Sequence, residues 1–174
     1  LEKNRSRDFD RPPVLYPTSM TGSVDSLHKS IEAYRQVQFL GADGAAMGGW
    51  HMEGPYFSLS KRGAQDPRYL KNPDPEEYMD IMKRTDGHVS RWSLAPELPG
   101  AHDMSRTLAP MGVVMSYGHT DASFEECEEA FGAGFTELWQ LEEYFDLPEQ
   151  DIQKALSYWT DCRGIDFRTP SPTR

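Results

Sequence analysis

The feature that most constrains this chain is an alternation of short apolar runs with longer segments that have helical spacing. The apolar runs lie at 14–17, 50–52, 89–95 and 112–116, and residues 134–136 begin like another. Short runs that end in polar or turn-forming residues are typical of buried strands. We therefore expect four or five strands.

The segments with helical spacing separate these predicted strands. They lie at 24–39, 76–84, 105–111 and 124–131. Ser123 and Glu126 have the spacing of a capping box and mark the start of the last helix. A glycine-rich linker, GADGAAMGG, precedes the second strand. This regular alternation predicts parallel β/α units joined by right-handed crossovers.

Polar residues follow the predicted strands. Thr18, Glu53, Glu97 and His119 fall at or just past the C-terminal ends of strands. Active sites of β/α barrels are built at that face, and ligand sites of open doubly wound sheets also lie at the C-terminal ends of strands. We expect the α/β class and favour a partial (β/α) TIM-like barrel of about four to five β/α units, with an open sheet as the alternative.

Three regions differ in composition. Residues 1–13 are charged, residues 14–136 contain the strand and helix pattern, and residues 137–174 show no strand pattern. In the last region an apolar stripe from Ile152 to Trp159 predicts a helix, and the final residues have the composition of disordered segments. We expect the barrel segment to be followed by a helical, partly disordered tail.

Charge and cysteine content bear on partners and location. The chain has 174 residues, with 18 Lys and Arg against 28 Asp and Glu, for a formal net charge of −10. This charge argues against nucleic acid and anionic membranes as partners. The two cysteines, the charged N-terminus and the lack of a long apolar run predict a reduced, cytoplasmic protein.

Two strand ends carry candidate metal ligands. His51 and Glu53 alternate along one strand, so both side chains can lie on the same face, and His119 follows Gly118 at the end of another strand. Carboxylate and imidazole groups suit Zn²⁺ or Fe²⁺. Taken alone, each of these residues fits an ordinary structural role better than a metal site.

Further charged residues have two interpretations each. Glu97 is a candidate either for orienting a metal ligand or for a place beside a helix N-terminus. The cations of the loop after the Glu53 strand could contact a phosphate or form a solvated charged loop; they are Lys61, Arg62, Arg68 and Lys71.

Four motifs occur in one order along the chain. They are HMEGPYFS, KRGAQDPRYL, WSLAPELPGA and GVVMSYGHTDASFEECEEAFGAGFT. In order and spacing, residues 14–136 resemble the central part of N-acetylglucosamine-6-phosphate deacetylases of the amidohydrolase superfamily. The resemblance implies a distorted β/α barrel, a divalent metal, either Zn or Fe, bound by Glu53 and His119, and a sugar contact by Ala64 and Gln65.

The implied activity is metal-dependent hydrolysis of the N-acetyl group of N-acetylglucosamine 6-phosphate to glucosamine 6-phosphate and acetate. The sequence departs from the family pattern after residue 136. Gln140 stands where the third metal-binding His is expected, and the catalytic Asp has no counterpart. The alternative is therefore a catalytically inactive β/α fragment that serves in assembly or partner binding. The open sheet edges of such a chain would pair with another chain, as in a homo-oligomer, be covered by the C-terminal helix, or aggregate.

Overall fold

The computed structural model describes residues 14–40 and 45–138. Their strands are β1 (Val14–Leu15), β2 (Thr18–Ser19), β3 (Ala46–Met47), β4 (Trp50–Glu53), β5 (Val89–Leu94), β6 (Val114–Tyr117) and β7 (Phe135–Leu138). Their α-helices are α1 (Val24–Leu40), α2 (Pro75–Arg84), α3 (Ala101–Leu108) and α4 (Phe124–Gly132). Short 3₁₀ turns lie at Pro67–Tyr69 and Ala109–Met111.

The main sheet is parallel throughout. It has five strands in the order β2-β4-β5-β6-β7, and β1 pairs with β3 in a separate two-stranded parallel sheet. The parallel α/β class is thus confirmed. The five strands follow one another in chain order without reversal among the described residues, as in a β/α barrel, whereas a doubly wound sheet reverses direction at a switch point.

One face of this sheet is the apolar core. Met52, Trp92 and Met115 are aligned across three neighbouring strands and are at most 1% exposed. Helices cover them with buried side chains such as Ile81 of α2 and Leu108 of α3. Since alternate residues of a strand point to opposite faces, the residues between these core positions lie on the other face.

The helix starts follow local capping chemistry. Pro75 occupies the first turn of α2, and the Asp74 side chain accepts hydrogen bonds from the first backbone N–H groups. The predicted capping box of α4 is present: the Ser123 hydroxyl accepts from the Glu126 N–H, and the Glu126 carboxylate accepts from the Ser123 N–H.

Ser123→Ala is expected to lower the free energy of unfolding by about 1 kcal/mol, because the Glu126 N–H then loses its acceptor. Chemical denaturation monitored by circular dichroism measures the change. Ser123→Asp keeps a side-chain acceptor and should unfold close to wild type. Equal stability of the alanine variant and wild type would contradict the assigned cap.

Four predicted boundaries were wrong. Helix α3 begins at Ala101 rather than at residue 105. Its buried residues start at Ala101 and continue at Met104 and Leu108 with helical spacing. The loop before it ends at Gly100, which has φ +88°. Residues 109–111, predicted as its last turn, form a 3₁₀ turn that contains Pro110.

The other two corrections concern strands. The glycine-rich linker contains the two-residue strand β3, and β7 continues through Leu138 although residues 137–174 were predicted to contain no strand. The strand pattern is interrupted by the charged residue Glu137. In the structure Glu137 remains in β7 and forms an ion pair with Arg91 of the sheet at 2.7 Å. The predicted tail helix and Gln140 lie outside the described residues. None of the described helices has the length and apolar content needed to cross a membrane.

Candidate metal centre

Glu53 lies at the C-terminal end of β4, where the chain must turn sharply. Gly54 has φ +84°, and a Cβ at this position would overlap the side chains of Thr21 and Phe57. The Gly54 carbonyl accepts a hydrogen bond of 3.0 Å from the Trp92 indole N–H in the core. The core therefore fixes the turn that ends the strand at Glu53.

His119 lies in the turn after β6 and reaches Glu53 across the sheet. Its Nε2 atom is 3.1 Å from Glu53 Oε1, although the two residues are 66 positions apart in sequence. The side chains are only 4% and 12% exposed. The structure thus brings together the two residues that the sequence analysis named as metal ligands.

The other nitrogen of His119 faces the Lys61 carbonyl oxygen at 3.0 Å. A carbonyl can only accept, so Nδ1 carries a proton and, in the neutral imidazole, Nε2 carries a lone pair. That lone pair then faces a carboxylate oxygen, and two acceptors this close need a cation between them. A proton or a metal ion can fill that role.

The spacing of the two acceptor atoms fits a metal ion. With bonds of about 2.0–2.2 Å, two ligands of one metal lie about 2.9–3.5 Å apart for ligand–metal–ligand angles between square and tetrahedral values. The observed 3.1 Å falls in this range. A backbone carbonyl that holds the far nitrogen of a histidine is also a recurrent support for metal-bound imidazole.

The His119 turn is fastened to the loop after β4. The Ser58 N–H donates to the His119 carbonyl at 3.0 Å, and the Phe57 ring packs against the imidazole at 4.4 Å between centroids. Nearby, the Ser60 hydroxyl donates to Asp121. His119 itself has φ +51°, an uncommon conformation for a residue with a side chain. These contacts hold that conformation in place.

Glu97 forms hydrogen bonds with the same turn. Its carboxylate accepts hydrogen bonds from the Thr120 hydroxyl and from the Asp121 N–H, the second at 2.9 Å. The N-cap of α3 is Gly100, and that helix start has no side-chain cap. Of the two interpretations left open by the sequence, the geometry favours a residue that orients the segment next to His119.

Glu97→Ala is expected to weaken zinc binding by roughly 10-fold, because the turn that carries His119 loses its two hydrogen bonds to Glu97. Glu97→Gln should retain much of the affinity, since an amide can still accept from the Asp121 N–H and donate to Thr120. Isothermal titration with Zn²⁺ compares the three proteins. Wild-type affinity in the alanine variant would contradict this role for Glu97.

His51 lies on the same strand face as Glu53 but has other partners. Its Nε2 is 2.7 Å from the Ser93 hydroxyl and its Nδ1 is 3.2 Å from the Thr18 hydroxyl. Burial, with a smaller contribution from the positive charge of Arg91, lowers the pKa of His51 to about 4. The imidazole is therefore neutral at neutral pH. Sequence reasoning missed Ser93, although its alternation with Arg91 along β5 places it on the polar face.

The two predicted sugar-contacting residues lie in the loop that also holds His119. Ala64 is exposed, whereas Gln65 is only 4% exposed. The Gln65 side-chain oxygen accepts a hydrogen bond from the Thr21 backbone N–H at 2.9 Å. The Gln65 backbone N–H donates to the Arg62 carbonyl. Gln65 therefore ties this loop to the segment after β2. Its contact with a sugar stays a prediction.

The described ranges 14–40 and 45–138 contain no cluster of three or more His, Cys, Asp or Glu side chains arranged to hold a metal. Glu53 and His119 are thus a pair of candidate ligands within that part of the chain. Gln140, at the predicted third position, falls outside it.

No protein-family model matches the sequence. N-acetylglucosamine-6-phosphate deacetylase from Danio rerio is 36% identical over 128 residues, which are 72% of this chain and 31% of that protein. N-acetylgalactosamine-6-phosphate deacetylase from Escherichia coli O157:H7 is 29% identical over 118 residues, 68% of this chain and 31% of that protein.

Solved structures give the same result. A mutant N-acetyl-D-glucosamine-6-phosphate deacetylase from Mycobacterium smegmatis, in complex with N-acetyl-D-glucosamine-6-phosphate, matches with a TM-score of 0.65 and 31% identity. The match covers 72% of this chain and 32% of that chain. Over about 70% of its length, this chain is therefore a relative of the N-acetylglucosamine-6-phosphate deacetylases, and it spans about 30% of their length.

Proposed function

We propose that this chain contributes to metal-dependent removal of the N-acetyl group from an amino-sugar phosphate, giving the free amine and acetate. The observation that supports this most directly is the approach of His119 Nε2 to Glu53 Oε1 at 3.1 Å, with the far imidazole nitrogen held by a carbonyl. The names of the relatives, all deacetylases of amino-sugar phosphates, suggest the substrate class.

The proposal includes a partial β/α barrel in which the polar sheet face carries the site. Strand order without reversal supports this arrangement over a doubly wound sheet. A divalent ion such as Zn²⁺ or Fe²⁺, bound by Glu53 and His119, would polarise the acetamide carbonyl and lower the pKa of a bound water. The exposure of 4% for His119 and 12% for Glu53 limits competing water at these two groups.

The chain's own residues have distinct roles in this proposal. The Lys61 carbonyl fixes the His119 tautomer, and Glu97 fixes the turn that carries it. Ala64 and Gln65 are proposed to contact the sugar.

Further parts of the proposal concern setting and assembly. The two cysteines of the chain fit a reducing, cytoplasmic environment. The net charge of −10 supports a small molecule rather than nucleic acid as the partner. A homo-oligomer is proposed because β2 and β7 are the outer strands of the described sheet, and the unpaired backbone groups of an outer strand can pair with another chain.

Titration of purified protein with Zn²⁺ or Fe²⁺, followed by an assay of acetate release, tests the proposal. We expect metal-dependent release from N-acetylglucosamine 6-phosphate. N-acetylgalactosamine 6-phosphate, assayed in parallel, determines which sugar epimer is preferred. Metal binding without acetate release would favour the alternative of an inactive partner-binding segment. Absence of both would contradict the proposed function.

A further inference from the structure

Ser93 is the residue that lies beside Glu53 in the sheet. The two are register partners on β5 and β4, and both lie on the face opposite the core residues Met52 and Trp92. Neighbouring strands are about 4.8 Å apart, so a hydroxyl at position 93 is within reach of the Glu53 carboxylate. Ser93 is completely buried. A carboxylate is the strongest acceptor that a buried hydroxyl can find.

The Ser93 hydroxyl is directed instead to His51. It lies 2.7 Å from His51 Nε2, and Nδ1 of the same ring lies 3.2 Å from the Thr18 hydroxyl. His51 is two residues before Glu53 on the same strand face and is only 2% exposed. In a neutral imidazole one nitrogen donates and the other accepts, and a hydroxyl can do either. One imidazole therefore serves both hydroxyls.

Loss of the His51 contact would change the surroundings of Glu53. The Ser93 hydroxyl would become a buried donor without its acceptor, and the Glu53 carboxylate occupies the adjacent position of the sheet. A hydrogen bond between them would hold the carboxylate level with Ser93, whereas His119 lies beyond the end of β6. The carboxylate would thus be drawn away from His119 Nε2.

We propose that His51 is a positioning residue for Glu53. It binds the Ser93 hydroxyl and so prevents that hydroxyl from competing with a metal ion for the carboxylate. An apolar side chain at position 51 would fill the same space but would leave Ser93 to turn to Glu53. The inference rests on the proposed function, in which Glu53 is a metal ligand.

His51→Asn and His51→Gln separate the two contacts of the ring. The asparagine amide reaches the position of Nδ1, near Thr18, whereas the glutamine amide reaches that of Nε2, near Ser93. We expect His51→Asn to weaken zinc binding by roughly 10-fold and His51→Gln to stay within about threefold of wild type. Isothermal titration with Zn²⁺ measures both. Wild-type affinity in the Asn variant, or a folded Gln variant that binds zinc 10-fold more weakly than wild type, would overturn the proposal.

A second substitution gives a readout that a merely structural role would not change. Ser93→Ala, added to His51→Asn, removes the competing hydroxyl and should restore zinc affinity to within about threefold of wild type. The melting temperature, followed by circular dichroism, should stay below that of wild type, because the buried contact is still missing. A double variant that binds zinc as weakly as His51→Asn alone would overturn the proposal.

Ser116→Ala is the matched control for this rescue. Ser116 is also completely buried and is the register partner of Ser93 on β6, but it lies two strands away from Glu53. Added to His51→Asn, it should leave zinc affinity as low as in the single variant. Equal restoration by Ser93→Ala and Ser116→Ala would overturn the proposal.

Zinc affinity and acetate release distinguish this inference from the proposed function. A wild-type protein that binds zinc and shows the Ser93 rescue, but releases no acetate, would contradict the proposed function and support the role of His51. Acetate release without the rescue would support the proposed function and overturn the role of His51. Absence of zinc binding by wild type would also overturn it.

Discussion

Replacing Glu53 with Gln is expected to weaken zinc binding by roughly 100-fold or more and to remove any metal-dependent acetate release. Glutamine keeps the shape of the side chain but replaces an anionic ligand with a neutral amide, which transition metals bind poorly. Glu53 is one of two candidate ligands that meet in the described residues, so the change leaves His119 Nε2 as the one remaining strong ligand of that pair. Isothermal titration with Zn²⁺ measures the affinity directly.

Glu76→Gln is a suitable control for this change, because Glu76 is an exposed carboxylate at the start of α2. It removes the same charge from the chain and should bind Zn²⁺ as wild type does. His119→Asn should reproduce the loss seen with Glu53→Gln. Retained wild-type affinity in either site variant would show that zinc binds elsewhere.

The largest expected effect on stability comes from Trp92→Ala. Trp92 is completely buried, its ring stacks on Tyr56 at 5.8 Å between centroids, and its indole N–H donates to the Gly54 carbonyl. Truncation of a buried tryptophan typically lowers the free energy of unfolding by about 3–5 kcal/mol. That loss is a large part of the roughly 5–15 kcal/mol that stabilises an ordinary domain. Urea denaturation measures it.

Trp92→Phe separates packing from hydrogen bonding. It keeps an aromatic ring in the core but leaves the Gly54 carbonyl without its donor, so we expect a smaller destabilisation of about 1–3 kcal/mol. Because Gly54 directly follows Glu53, this variant should also bind zinc more weakly than wild type. A Trp92→Ala protein as stable as wild type would contradict the assigned core.

Local patterns in the sequence predict the fold class and the meeting of Glu53 with His119. Alternation of strands and helices requires parallel pairing, and parallel strands bring their C-terminal ends to the same edge. The period of two along β4 puts Glu53 on the face opposite Met52, whose burial confirms the assignment. Polar residues at strand ends were therefore sufficient to place Glu53 and His119 at one edge of the sheet, and the resemblance to the deacetylases named these two as the metal ligands.

Contacts that depend on distant loops were not predictable in this way. The carbonyl of Lys61 approaches His119 across 58 residues of sequence, and any residue type could have supplied that oxygen. Ser93 approaches His51 across 42 residues, and a serine within a strand has no motif of its own. The sequence likewise left Glu97 with two interpretations, because its contacts with Thr120 and Asp121 depend on how two loops pack.

The most direct test of the metal centre is anomalous X-ray diffraction from crystals of the protein grown with zinc. We predict a single strong anomalous peak about 2 Å from both His119 Nε2 and a Glu53 carboxylate oxygen, with His119 Nδ1 still facing the Lys61 carbonyl. A zinc peak that contacts neither side chain, or a direct His119–Glu53 hydrogen bond that persists with zinc in excess, would contradict the account.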